Sequence, residues 1–279
     1  MFNRTFVSAR WVIAAGILAI SAIGTTTPAQ ASGDLLVAPT RIIFDGQRGT
    51  EVILNNVGVE ESTYRISLVL RRMAPNGKLN GVEREEANET ENSALGVIRY
   101  APRRVTLPPN QPQAIRLGLR GTDKLDDGEY RVHMLFRAIP KAPAATEAVG
   151  EATGVKIQLI PVYGVTIPVI IRKGQLKATA AITNPRLVED SGRPVLAFDL
   201  ARDGSKSVYG EIRVTRQGEN TPAMVAKGIA VYPELETRQV FLPLAPEQAA
   251  AIKGPVKIGY YETPQAGGGL IAETQAVIH

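Results

Sequence analysis

From residue 32 onward, apolar positions recur with a period of two in short runs that stop at turn residues. Leu35 to Phe44 ends at Asp45-Gly46, Thr50 to Leu54 at Asn55-Asn56, and Tyr64 to Leu70 runs on to Pro75-Asn76-Gly77. Val97 to Tyr100, Arg103 to Leu107, Ala114 to Leu119 and Tyr130 to Ile139 follow. In Ile115-Arg116-Leu117-Gly118-Leu119-Arg120 the odd positions are apolar and the even ones are not, as a half-buried strand requires. No helical window of twelve residues interrupts the pattern, which predicts an antiparallel sandwich.

Between Pro140 and Gly154 the chain turns to Ala, Glu, Thr and Gly and loses the pattern, so a loop or hairpin tip is expected. Val155 to Ile171 then holds a single strand phase: Val155, Ile157, Leu159, Pro161, Tyr163, Val165, Ile167, Val169 and Ile171 are all apolar. That is about three times an ordinary strand. It reads either as one strand serving more than one sheet or as two strands broken at Pro161 or Pro168, since proline lacks the N–H that a central strand needs. After Arg172-Lys173-Gly174 a second β series begins, from Gln175 to Ile278, with Asn184-Pro185, Asp203-Gly204, Gln217-Gly218 and Gly267-Gly268-Gly269 as separators. The expected organisation is all-β, with one sandwich over 32–172 and another over 173–279.

The first 31 residues differ. Arg4 and Arg10 precede an apolar run from Trp11 to Ile23, and the segment ends Ala29-Gln30-Ala31, the three parts of a cleaved secretory signal peptide over 1–31. Without Arg4 and Arg10, 30 basic side chains face 27 acidic ones, a net charge of +3. So small a charge gives no sign of nucleic-acid binding. There is no Cys, which excludes a disulfide framework and a thiolate nucleophile, and the only two His are His133 and His279. No phosphate-binding Gly-rich loop or nucleophile elbow is present, so neither an enzyme nor a small-molecule substrate, metal or cofactor is expected. Glu83 to Glu91 reads as a solvated acidic loop. His133 reads as a surface or domain-interface residue.

Five segments in order resemble the N-terminal domain of periplasmic pilus-assembly chaperones. They are Val37 to Gly46, Leu54-Asn55-Asn56 with Tyr64-Arg65-Ile66, Pro102 to Pro109, Gln113 to Leu117, and Tyr130 to Pro140. The resemblance spans most of Leu35 to Arg172 and nothing specific beyond it. It implies two immunoglobulin-like sandwiches in an L-shaped arrangement that bind pilus subunits in the periplasm and deliver them to an outer-membrane usher. Such a chaperone lends an edge strand to a subunit that lacks one, so Val155, Ile157, Leu159 and Tyr163 become candidate anchors in the subunit's groove. The family also holds the subunit's terminal carboxylate with an Arg on the first strand and a Lys near the end of the donor strand.

Arg41 matches the first cation. It stands between Ala38-Pro39-Thr40 and Ile42-Ile43-Phe44, and a guanidinium buried there without a partner costs several kcal/mol, on the order of a lost charged hydrogen bond or more. The alternative is that it points outwards on an alternating strand. The second cation falls at Pro168 or Thr166, neither of them charged. A different class of function, a secreted structural or adhesive two-sandwich module that donates no strand, fits the same β pattern.

Overall fold

The computed structural model describes residues 35–140 and 161–279, so the expected leader over 1–31 and the candidate anchors Val155, Ile157 and Leu159 lie outside the described residues. Among the described residues the first half contributes ten strands and an α-helix. β1 (Leu35–Ala38), β2 (Ile42–Asp45), β3 (Gly49–Asn56) and β4 (Ser62–Met73) come first. Next are β5 (Leu79–Val82), helix α1 (Glu89–Val97), β6 (Ile98–Ala101) and β7 (Arg104–Leu107). β8 (Gln113–Leu119), β9 (Gly128–Ile139) and β10 (Gly164–Lys173) complete it.

These strands form two facing sheets, one in the order β1-β3-β8-β6 and one in the order β2-β10-β9-β4-β5, with β7 also paired to β4. Leu54 and Ile115 from the first sheet meet Phe136 and Val169 from the second in one buried cluster. The run from Leu35 to Phe44 is two strands, not one. β1 pairs antiparallel with β3 (Val37 opposite Leu54), whereas β2 pairs parallel with β10 (Ile42 opposite Val169). The chain changes sheets across Pro39-Thr40-Arg41, where Pro39 has no N–H to give to a ladder.

The acidic stretch is not all solvated loop. Asn88 caps α1: its side chain accepts the Glu91 N–H at 2.9 Å while the Glu91 carboxylate accepts the Asn88 N–H at 2.9 Å. This reciprocal pair satisfies two otherwise unpaired N–H groups, so a nine-residue helix forms where composition alone suggested solvent.

The second half forms β11 (Ala178–Asp190), β12 (Arg193–Gly204), β13 (Val208–Arg216) and β14 (Met224–Val231). β15 (Thr237–Pro243), α2 (Pro246–Ala251), β16 (Gly254–Glu262) and β17 (Leu270–Ile278) follow. The sheets are β11-β12-β15 and β14-β13-β16-β17, and Phe198, Leu200, Ile212, Ile258 and Tyr260 fill the space between them. Asn184-Pro185 does not end a strand. It forms a bulge within β11, where the ladder slips between Thr183 and Arg186. β11 is an edge strand, and there proline's missing N–H leaves no central ladder bond unmade.

A third, smaller cluster joins the two sandwiches: Met73 and Ile170 from the first pack against Ala230 and Tyr232 from the second. The turn after β4 reinforces this dock, with Gln239 donating its backbone N–H to the Pro75 carbonyl at 2.7 Å.

Candidate functional site

The two edges of β10 are unequal. One is paired with β9 along its whole length, from Gly164 opposite Arg137 to Lys173 opposite Gly128. The other meets β2 only from Val169 to Arg172. Among the described residues no strand pairs with that second edge from Gly164 to Pro168, because the chain that would continue β2 upward has crossed to the other sheet at Pro39. The Tyr163 carbonyl accepts from the Ala138 N–H at 2.9 Å, so the odd-numbered carbonyls face β9. By antiparallel alternation, the even residues Gly164 and Thr166 direct their backbone N–H and C=O at the open edge. Pro168 sits where its missing N–H would also point outwards, which is why a proline is tolerated inside this strand.

The odd row has a single course from core to surface. Ile167, Val169 and Ile171 are buried in the first core, Val165 is half-buried against it, and Tyr163 is 42% exposed. One row packs the protein's own core and then emerges from it. Pro161-Val162-Tyr163 lies outside β10, so the strand is shorter at its described start than the phase predicted.

Arg41 lies at the foot of the open edge, one residue before the pair Ile42–Val169. It does not point outwards into solvent. Its Nη1 donates to the Tyr232 hydroxyl and its Nη2 to Ser207 Oγ, both at 3.3 Å. Its guanidinium carbon lies 4.3 Å from the centre of the Tyr209 ring and 5.7 Å from that of Tyr232. All these partners are neutral and belong to the second sandwich. Its Nε is buried and has no partner among the described residues, so aromatic faces and hydroxyls hold the cation in place and no carboxylate among them neutralises it.

Arg41 opens onto a cleft of about 590 Å³ between the sandwiches, also lined by Arg172, Lys206, Ser207, Tyr209 and Glu262. Arg172 is committed elsewhere: its Nε donates to Glu129 Oε2 at 3.1 Å, and the same oxygen accepts the Ser207 N–H at 3.1 Å and hydroxyl at 2.9 Å. No charged side chain stands at Thr166 or Pro168, but Lys206 brings a positive charge to the cleft from the second sandwich. Among the described residues no group of His, Asp and Glu side chains is arranged to hold a metal ion.

His133, opposite Pro168, is 1% exposed and so is not a surface residue. Among the described residues neither ring nitrogen has a partner. Burial, reinforced by the positive charges of Arg131, Arg71 and Arg41, pushes its pKa down to about 3. A neutral imidazole therefore fills this face.

Of the sequence candidates, Arg41, Tyr163 and Thr166 are described, and Thr166 and Arg41 flank Pro168 at the open edge and its foot. Thr166 contributes backbone to that edge. Ser207, Tyr209, Tyr232 and Lys206 were not among the candidates. Strand alternation within each half does not reveal which turns of one sandwich face the other.

Fold and site together define a two-sandwich protein with an unpaired stretch of strand edge beside a half-buried arginine that has no acidic partner among the described residues. No family model matches the chain, and no curated relative does. Among solved structures it is similar to the YadV chaperone, with a TM-score of 0.45 and 15% identity over 87% of this chain and 98% of that one. It is also similar to the CupB2 chaperone of Pseudomonas aeruginosa, with a TM-score of 0.45 and 13% identity over 88% of this chain and 100% of that one. A third is the CsuC–CsuE chaperone–tip adhesion subunit pre-assembly complex from the Csu pili of Acinetobacter baumannii, with a TM-score of 0.43 and 13% identity over 88% and 97%.

Proposed function

We propose that the chain is a periplasmic chaperone of pilus subunits, exported by its leader, which lends the free edge of β10 to a subunit and passes it to an outer-membrane usher. The observation that carries this reading is the open edge at Gly164–Pro168 with Arg41 at its foot. An unpaired edge is a standing invitation to another strand, and proteins that do not use one generally block it with charge or cover it. Here the edge carries Gly164 and Thr166, and the row beside it surfaces as Tyr163. A subunit strand laid there gains main-chain hydrogen bonds, and Val155, Ile157, Leu159 and Tyr163 extend the apolar row into its groove. Arg41 receives the subunit's terminal carboxylate through its planar fork, with Lys206 adding charge in place of the cation absent at Pro168.

Thr166→Pro tests the edge. It deletes one outward N–H from a strand that already tolerates Pro168, so the fold should persist. Wild type should form a stoichiometric soluble complex with a pilus subunit lacking its final strand, and Thr166→Pro should lose at least about tenfold in affinity, the worth of one buried backbone hydrogen bond. Equal capture by the variant would overturn strand donation. Absence of any wild-type complex would favour a structural two-sandwich module.

A further inference from the structure

Arg41 belongs to the first sandwich, yet everything that orients its guanidinium belongs to the second. Its aim is therefore only as good as the dock between them. Two carboxylates tie the sandwiches together near Arg41: Glu129 holds Ser207, and Glu234 holds the turn that carries Tyr232. Tyr232, Pro233, Glu234 and Leu235 form a tight turn closed by Leu235 N–H to Tyr232 C=O at 3.0 Å, with proline at the second position, so Tyr232 and Glu234 move together. Glu234 reaches across to the first sandwich. Its Oε1 accepts Arg131 Nη2 at 2.6 Å and the Met73 backbone N–H at 2.8 Å, and its Oε2 accepts Arg131 Nη1 at 3.1 Å. Arg131 is further fixed by donating to the Arg71 carbonyl at 2.9 Å, and its guanidinium carbon sits over the Tyr232 ring, 3.6 Å from the centre. The hydroxyl of that same ring accepts from Arg41.

We infer that Glu234 is a positioning residue for the Arg41 anchor: by gripping Arg131 and the β4 backbone it sets the Tyr232 ring, and the ring sets the direction of the Arg41 fork. The inference rests on the reading of Arg41 as a carboxylate anchor. A forked, two-oxygen grip is sensitive to angle, so a guanidinium of the same charge turned aside would lose selectivity for a carboxylate before it lost general attraction.

The test has two readouts on Glu234→Ala and Glu234→Gln. The first is the arginine side-chain NMR signal of Arg41 in the free protein, assigned through Arg41→Lys. Stacked against Tyr209 and Tyr232 it should be displaced by ring current. Glu234→Ala should return it towards the position of a free arginine, with Glu234→Gln intermediate and the amides of β9 and β10 away from Arg131 and Ile170 unchanged. The second readout is the preference for a pilus subunit with a free C-terminus over the same subunit amidated. Wild type should show at least about a tenfold preference, and Glu234→Ala less than about threefold, with affinity for the amidated subunit unchanged. An unmoved Arg41 signal, or equal weakening towards both subunits, would overturn the inference. A displaced signal in the variant with no wild-type preference for the free acid would leave the positioning intact and remove the carboxylate reading instead.

Discussion

The two halves of β10 are built from the same alternation and differ in their neighbours. From Val169 to Arg172 the strand has β9 on one side and β2 on the other, and its odd residues Val169 and Ile171 lie in the core. From Gly164 to Pro168 it has β9 alone, and the odd row rises through Val165 to the exposed Tyr163. The difference comes from a distant bend: the chain leaves β2's sheet at Pro39, and its departure uncovers the edge. Availability for a partner is thus a property of the strand's surroundings, and one apolar row can be core at one end and anchor at the other.

Opposite effects of the same substitution at the two ends would sharpen this comparison most. Val169→Asp buries a carboxylate with no partner and should cost the first sandwich more than about 4 kcal/mol, removing its cooperative thermal transition. Tyr163→Asp should cost less than about 0.5 kcal/mol of stability yet abolish capture of a subunit lacking its final strand. Similar losses of stability in both variants would mean that the row does not leave the core.

The face of β9 and β10 that carries His133 gives a second contrast, because it is closed by the other sandwich where the edge is open. The His133 pKa is lower in the folded chain than in the unfolded one, so the unfolded state takes up protons first. Stability should therefore be full above the ordinary histidine range and fall from about pH 6.5 downwards, by about 2 kcal/mol between pH 7 and pH 5. His133→Leu should flatten that slope in denaturant titrations. An unchanged slope would assign the pH dependence elsewhere.

A smaller effect belongs to α1, away from the edge. Glu91→Gln weakens the cap and the 2.7 Å contact with Arg72 and should cost about 1 kcal/mol at neutral pH. The Arg72 hydrogen bond holds the Glu91 pKa below its ordinary value, so this stability is present above the normal carboxylate range and is lost as pH falls through the lowered pKa. Capture should be unaffected, which makes the variant a control for the two above.

The β architecture was legible because period-two alternation survives burial on one face, as in Ile115 to Arg120, and because Arg172-Lys173-Gly174 interrupts the series between the two cores. Proline was harder to read. Pro39 marks a change of sheet, Pro168 an open edge and Pro185 a bulge in an edge strand, and one residue type carries all three meanings until the neighbours are known. The chemical character of Arg41 was visible as a cation in an apolar run. Its cradle was not, because Ser207, Tyr209 and Tyr232 come from the other sandwich, and periodicity within each half contains no register between the two.

Backbone hydrogen exchange on the two halves of β10, with and without a bound subunit, tests the account most directly. The Gly164 and Thr166 amides should exchange quickly in the free protein and become strongly protected in the complex with a pilus subunit lacking its final strand, while the Ile170 and Arg172 amides, already bonded to β2, should be slow in both. If Gly164 and Thr166 were as slow as Ile170 in the free protein, or stayed fast in a formed complex, the edge would not be what the protein lends.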